Sequence, residues 1–381
     1  MKNRSMQHFL VYHMLIEKLN IRAKAPIAII GDGCSALSLA SKAASLPNHS
    51  LNIFSSQNNK IKNDHVWGYW DMHWMNAVDP LTIKTWHKWI IQTSHSKTVM
   101  HSRYHPYKAV KRKKWMAHCR AIAQKHDVTF HTSLTKIDKL KCAQIFDSRP
   151  PKFRRGMMVQ HFIGWEVQAP PGSFNQETAI LMDFRCDQSR GVHFIYCLPF
   201  SDRKALVEST VFSTTIEPNS FYEAAITNWL SDCAGIQNFK VIKTEQGAIP
   251  LGFMERHDLK FNGIGSNCGA IRPSSGYAFS FIQKQILNAI LQSSSTKKRL
   301  TFVNPHKKID LLMDRIFLSV LRNQPKMAPK IFECLANCLT GDEFANFLSG
   351  EAGIKLRLKV IAAMPLWPFV QALFKLEEIP K

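Results

Sequence analysis

Acids are scarce in this sequence. Of 381 residues, 28 are Asp or Glu against 50 Lys or Arg, a formal net charge of +22. Paired metal-type cysteines are also missing. The nine cysteines (Cys34, Cys119, Cys142, Cys186, Cys197, Cys233, Cys268, Cys334 and Cys338) form no C-x-x-C and no zinc spacing. That pattern suits reduced thiols in a cytoplasm rather than a disulfide framework. The histidines from His65 to His131 are irregularly spaced, and no metal is assigned. No uninterrupted apolar run reaches the roughly 20 residues of a spanning helix. No internal repeat or low-complexity tract occurs. Residues 1–24 carry a short apolar patch broken by His13 and Glu17, with no small-residue cleavage site. They read as an amphipathic helix or a start-site artefact, not a signal peptide.

An excess of positive charge suits nucleic acid or an anionic membrane surface. The basic residues are dispersed, apart from KAVKRKK at Lys108 to Lys114, and no nucleic-acid module signature is present. The membrane surface is therefore the expected partner and nucleic acid is not. A solvated basic face without a partner is the alternative. Val360 to Phe374 is apolar, contains Pro365 and Pro368, and follows the basic KLRLK. That composition fits an interfacial element touching lipid, or equally a buried helix pair.

Two stretches carry most of the chemistry. Pro26 to Ala44 reads as a buried strand (PIAII), a tight turn (GDGCSA) and a helix. Gly31 permits the turn, Gly33 lets the backbone approach a pyrophosphate, and Ala36 allows close helix–strand packing. An ordinary tight β–α turn would look the same. The next strand, SLNIFSS, ends on Ser55 or Ser56 where dinucleotide folds usually place an acid on the ribose.

Ala179 to Ser213 reads as three strands separated by turns at Gly191 and at Ser201 to Lys204. Glu208 falls in the third strand, with Leu206 and Thr210 on its own face. A carboxyl in an apolar sheet face loses solvation, so its neutral form is favoured and it can act as an acid near neutral pH. A rim glutamate paired with a lysine is the plainer alternative.

LMDFRCDQ, FIYCLPFS and LVEST, in this order, resemble the lycopene β-cyclase family. The likeness runs from about Pro26 to Phe374. It takes in NDHVWGYWD after the second strand, YHPYKAVKRKKWM, QIFDSRP, QHFIGWE, TEQGAIPLG, GIGSNCGAIRPSSGYAFS and the helical C-terminal pattern. In that family the first acid of the LVEST-type motif acts in cyclisation, which matches Glu208 here. The second acid is Ser209 in this chain, and Arg272 stands where the family usually has His.

The resemblance implies an α/β flavoprotein of two domains. A Rossmann-like FAD-binding domain (24–60, 95–150 and 240–295) is interleaved with an antiparallel-sheet substrate domain (61–94 and 151–239), and a helical C-terminal part (296–381) faces the membrane. It implies Gly31, Gly33, Ala36, Ser55, Gly265, Gly269, Pro273 and Gly276 on the cofactor. Glu166, Asp183, Trp67, Tyr69 and Tyr196 would line the substrate pocket, although an ion pair is the plainer role for Glu166. Arg272 could pair with a cofactor phosphate. The implied activity is non-redox closure of linear carotene ends to β-ionone rings. It requires reduced FAD, with NAD(P)H as reductant, at the inner face of the membrane. An FAD- and NAD(P)H-dependent isoprenoid reductase or monooxygenase is the alternative on this scaffold. A non-catalytic flavin- or lipid-binding relative is a third reading.

Overall fold

A computed structural model describes residues 24–55, 64–134, 137, 140–152, 154–296 and 299–374. Residues 1–24, read above as a leader, lie outside the described part except for Lys24, and so does Ser56.

Ala25–Ile30 (β1) is apolar on both faces and its last four residues are buried, as a central parallel strand covered on both sides requires. His49–Phe54 (β2) pairs parallel to it on one side and Gln144–Asp147 (β9) on the other. Val128–His131 (β8) lies outside β2, and Asn262–Gly263 (β15) lies outside β9. The five-stranded order β15-β9-β1-β2-β8 reverses direction between β1 and β9. A crevice opens at such a switch point, beyond the carboxyl ends of the strands. Cys34–Ala40 (α1), Arg112–Ala123 (α2) and Phe279–Thr296 (α4) are the helices associated with this sheet. Ile27, Ile29, Ala36, Leu39, Ile282 and Ile286 form the core between sheet and helices.

The second sheet has seven strands in the order β14-β10-β13-β12-β11-β5-β6. Its strands are Lys88–Gln92 (β5), Lys97–His101 (β6), Met158–Gln168 (β10), Thr178–Asp183 (β11), Val192–Pro199 (β12), Lys204–Ser213 (β13) and Lys240–Leu251 (β14). Helix Asn219–Asn228 (α3) covers one face, over Ile163, Ile195, Val207 and Val211. The other face, with Leu198, Leu206 and Phe212, joins the largest apolar cluster. A three-stranded sheet also feeds that cluster, with Tyr107–Lys111 (β7) between Val66–Trp70 (β3) and Thr82–Trp86 (β4). The C-terminal helices are Lys308–Asn323 (α5), Ala328–Cys338 (α6), Gly341–Leu348 (α7), Ile354–Ala363 (α8) and Leu366–Phe374 (α9).

Two of the boundaries read from sequence fall inside the large sheet. β6 follows 95 and pairs with β5 as a hairpin, its turn held by the Thr93 hydroxyl accepting from the amides of His95 and Ser96. β14 follows 240 and pairs along β10. The chain returns to the parallel sheet only at α2 and β15.

Candidate active site

The large sheet lays a row of four residues across four strands. Tyr196 of β12 is the cross-strand partner of Glu208 on β13, Glu208 of Gly164 on β10, and Gly164 of Glu245 on β14. Directly opposed residues share a face, so the two carboxyls project from the same side, with backbones about 10 Å apart at two strand spacings. Gly164 leaves the space between them. A Cβ there would stand 3.2 Å from Glu245 Cγ, 3.2 Å from Leu206 Cδ1 and 3.5 Å from Glu208 Cβ. A glycine inside a strand marks such a close approach.

Both acids are buried, Glu208 with 8% and Glu245 with 4% of its surface exposed. Burial pushes Glu208 up to about 7, partly offset by the hydroxyl of Thr210, which donates to its Oε1 at 2.5 Å. Burial and then the neighbouring Glu208 push Glu245 up to about 8, while the Val66 amide donates to its Oε2 at 3.1 Å. Glu245 is the one inward carboxyl on a strand whose residues are otherwise mostly exposed or half-buried.

Phenols close over the row. The Tyr107 and Tyr196 hydroxyls are 3.0 Å apart. Gly68 on β3 is obligatory beneath them, because a Cβ there would lie 2.0 Å from Tyr107 Oη and 2.8 Å from Tyr196 Oη. Burial holds Tyr107, Tyr196 and Tyr277 well above the usual phenol range, and the charge of Glu208 adds to it. Trp70 packs on Tyr107 with centroids 5.0 Å apart and on Tyr277 at 5.4 Å. A narrow cleft, with an enclosed volume of about 20 Å³, runs beside them, bounded by Gly68, Tyr69, Trp70, Tyr277, Phe279 and Ser280. The arrangement is a neutral acid in an apolar wall with electron-rich rings over it, suited to giving a proton and stabilising the resulting cation.

The switch-point crevice adjoins this site. Gly31 takes φ +95°, the left-handed conformation that ends β1. Gly33 is extended, and a Cβ there meets nothing within 4 Å. No protein neighbour demands a glycine at Gly33, but a phosphate group approaching the backbone would. Ala36 is fully buried against β1. Gly265 touches the same turn, since a Cβ on it would lie 1.7 Å from Ser35 Oγ. Pro273 is buried, and Gly276 abuts Ile249 of β14, which sets this loop at the seam of the two sheets. The Ser275 hydroxyl and Trp70 Nε1 are buried without a hydrogen-bond partner among the described residues. An open glycine cradle at the end of β1 fits a phosphate-bearing flavin.

Other expected site residues lie elsewhere. Gly269 packs on Asn304 rather than on the α1 turn. Ser55 gives its hydroxyl to Asp32 Oδ2 at 2.9 Å, so the turn residue Asp32 brings a carboxylate to the place where strand β2 lacks one. Arg272 is not set for a phosphate. It is buried in an ion pair with Asp314 at 3.0 Å and donates to the Phe347 carbonyl, latching α5 and α7 to this loop. Asp183 is on the opposite face of the large sheet, paired with Arg185 at 2.7 Å and accepting from Trp229 Nε1 at 2.9 Å. Glu166 pairs with Lys204 at 2.6 Å. Trp67 and Tyr69 alternate with Gly68 along β3 and pack on Phe279; Tyr69 lines the narrow cleft beside the site, its hydroxyl 2.9 Å from that of Thr82. Of the pocket residues expected from sequence, Tyr196 joins Glu208 and Tyr69 lines the adjoining cleft. Trp70 comes from the aromatic NDHVWGYWD stretch, and Glu245 and Tyr277 from the family-like TEQGAIPLG and GIGSNCGAIRPSSGYAFS stretches, but the sequence did not place them or Tyr107 beside Glu208. The signal for Glu245 was the in-strand glycine of QHFIGWE.

A family model described as lycopene cyclase protein matches residues 26–373. A lycopene beta-cyclase of Pantoea ananas is 31% identical over 162 residues, a match covering 37% of this chain and 40% of that enzyme. Among solved structures, the chain resembles a geranylgeranyl bacteriochlorophyll reductase-like protein of Thermoplasma acidophilum. The TM-score is 0.57 at 10% identity, over 93% of this chain and 99% of that one. A tryptophan 6-halogenase of Streptomyces toxytricini superposes with TM-score 0.55 at 10% identity, over 93% and 98% of the two chains. A flavin-dependent brominase gives 0.52 at 12% identity, over 93% and 100%. At these identities the structures share the Rossmann-like fold.

Proposed function

Because this chain belongs to the lycopene cyclase family, we propose that it closes six-membered rings at the ends of a linear carotene, with Glu208 as the acid. The observation that carries this reading is the placement of Glu208: buried, held protonated to about pH 7 by that burial, and beneath a roof of tyrosines. Glu208 gives its proton to the terminal double bond of the polyene. The tertiary carbocation so formed is attacked by the neighbouring internal double bond, a carbon–carbon bond forms, and the ring closes with the cation beside the new bond. Loss of one proton restores a double bond, so the sum is an isomerisation. Burial excludes water that would quench the cation, and the faces of Trp70, Tyr107 and Tyr277 attract it by about 2 kcal/mol per desolvated ring. Thr210 orients the carboxyl by its hydrogen bond.

The residues that would hold a flavin are Gly31, Gly33 and Ala36 of the first turn, Asp32 with Ser55 toward the ribose, and Gly265, Pro273, Ser275 and Gly276 of the second loop. When bound and reduced by NAD(P)H, that group supplies negative charge beside the pocket.

A carotene is delivered from lipid, and the C-terminal helices supply the surface for it. Ile354, Leu358, Ile361, Leu366, Trp367 and Phe374 are exposed on α8 and α9. Among the described residues no single helix is long and apolar enough to cross a membrane, and α8 and α9 meet at a bend of 106°. The chain would rest on the anionic inner face of the membrane, its net charge of +22 drawn there.

Expression in lycopene-accumulating cells with pigment chromatography tests the whole reading. Ring-bearing product without stoichiometric NAD(P)H consumption supports it. Saturated or oxygenated product formed with one NAD(P)H each would place the chain with the redox flavoenzymes that share its fold.

A further inference from the structure

Ring closure needs a proton acceptor as well as a donor, and the sheet row supplies a second carboxyl within reach of the first. We infer that Glu245 is that acceptor: it takes the proton released from the newly bonded ring carbon and returns it to Glu208 across Gly164. This rests on the cyclase reading given above.

The geometry carries it. Gly164 is the cross-strand partner of both acids, and its missing side chain leaves one shared space bounded by Glu245 Cγ on one side and Glu208 Cβ on the other. Glu245 faces inward with 4% exposure. It is in no ion pair among the described residues, in contrast to Glu166 one alternation along β10, which Lys204 neutralises. Its recorded hydrogen bond comes from the Val66 amide, which leaves the second oxygen for a proton. Two carboxyls in one apolar pocket do not both ionise easily, so near neutral pH the pair holds one proton between them. Burial raises both carboxyls toward neutral pH, so one proton passes between them in that range.

The balance is closed. Glu208 loses a proton to the terminal alkene carbon, and Glu245 gains one from the ring. The electron pair of that C–H bond becomes the ring double bond, and transfer from Glu245 to Glu208 resets the site with no net proton consumed. Which proton leaves decides the isomer. Removal from the newly bonded carbon gives the β ring, whereas removal from the methyl or methylene next to the cation gives an exocyclic or displaced double bond. A base held on one side of the pocket thus fixes ring type.

The groups facing the pair are Tyr196 on β12, Tyr107 on β7, Tyr277 after β15, Lys243 on β14, and Asp64 ahead of β3. Lys243 spends its ammonium on the Asp64 carbonyl at 2.5 Å. The tyrosines stay neutral throughout the working range, so the pH profile of turnover reports the carboxyls.

The test uses the full-length flavin-loaded chain, wild type and the variants E245Q and E245D, on lycopene in liposomes from pH 5 to 9. The wild type should give β rings with a bell-shaped profile, active while the pair holds one proton. E245Q should close rings about 100-fold more slowly, the usual worth of a positioned base, with the residue enriched in displaced-double-bond isomers. It should also lose the acid limb, because Glu208 must then act alone as donor and acceptor and is limited only by its own ionisation. E245D should recover at least a tenth of the rate and the β isomer, and it carries the test if E245Q does not fold. A wild-type rate and isomer pattern in E245Q overturns the assignment. So does a slow E245Q that keeps both limbs and pure β product while E245D is no better, the signature of a packing role. A wild type that closes no ring overturns the cyclase reading itself, a different failure.

Discussion

Glu208 and Ser209 are consecutive in the chain and face opposite sides of the large sheet. Glu208 shares its side with Leu206 and Thr210 under the tyrosines. The Ser209 hydroxyl lies 2.9 Å from His193 Nε2 on the side covered by α3. The side-chain period of two makes this unavoidable, so an acid at 209 cannot work beside Glu208.

Glu208→Gln should abolish ring formation while flavin content and far-ultraviolet circular dichroism stay unchanged, because the amide keeps the shape and the Thr210 contact. Adding Ser209→Glu to that variant should restore nothing and should destabilise the chain by placing a carboxylate at a fully buried position. Pigment chromatography reads both.

The carboxyl pair predicts a direction for stability against pH. An acid whose folded value lies above its ordinary one favours folding in its neutral form, and that advantage is lost as pH rises. For Glu208 the window runs from 4.5 to about 7, and for Glu245 from 4.5 to about 8. Each tenfold change in acidity is worth about 1.4 kcal/mol. Urea unfolding at pH 5 and pH 8.5 should show a fall in stability with rising pH, and Glu208→Gln should flatten it.

Gly164→Ala places a methyl between the two carboxyls at 3.2 to 3.5 Å from its neighbours. The strand gains about as much in propensity as the tight contacts remove, so the melting temperature should move little. Turnover should fall at least tenfold because the acids are pushed apart.

Gly33→Leu tests the crevice. Its backbone is extended and a Cβ there meets no atom, so the apoprotein should fold as before. Flavin occupancy, read from the absorbance of the purified chain, should drop sharply. Arg272→Ala should behave in the reverse way. It leaves Asp314 buried and unpaired, which destabilises by about 3 to 5 kcal/mol, with no specific loss of phosphate contacts in whatever folded protein remains.

On the C-terminal surface, Trp367→Glu together with Leu366→Ser should lower co-sedimentation with anionic vesicles and slow turnover on liposomal lycopene. Turnover on detergent-dispersed lycopene should be left near wild type. Equal losses in both assays would count against a lipid-facing role for α9.

Local signals in the sequence were sufficient for the glycine turn between β1 and α1 and for the three strands around Glu208. A strand–glycine–helix turn and a period-two alternation are properties of a few adjacent residues, and the strands at Ala25–Ile30, Val192–Pro199 and Lys204–Ser213 lie where those patterns put them. What residue types cannot encode is which strand lies beside which. Glu245 is 37 positions beyond Glu208 and Gly164 is 44 before it, and only cross-strand register on β10 makes them neighbours. The same holds for the failures. Trp67 and Tyr69 look like the working aromatics of NDHVWGYWD, and Tyr69 does line the cleft, yet the pleat turns Gly68 and Trp70 toward Tyr107 and the acid row. Asp183 and Arg272 carry family-like positions, but tertiary packing gave each an ion-pair partner, half-buried Arg185 and buried Asp314. Short-range chemistry determined the parts, and sheet register, which depends on contacts between distant segments, decided which of them share a site.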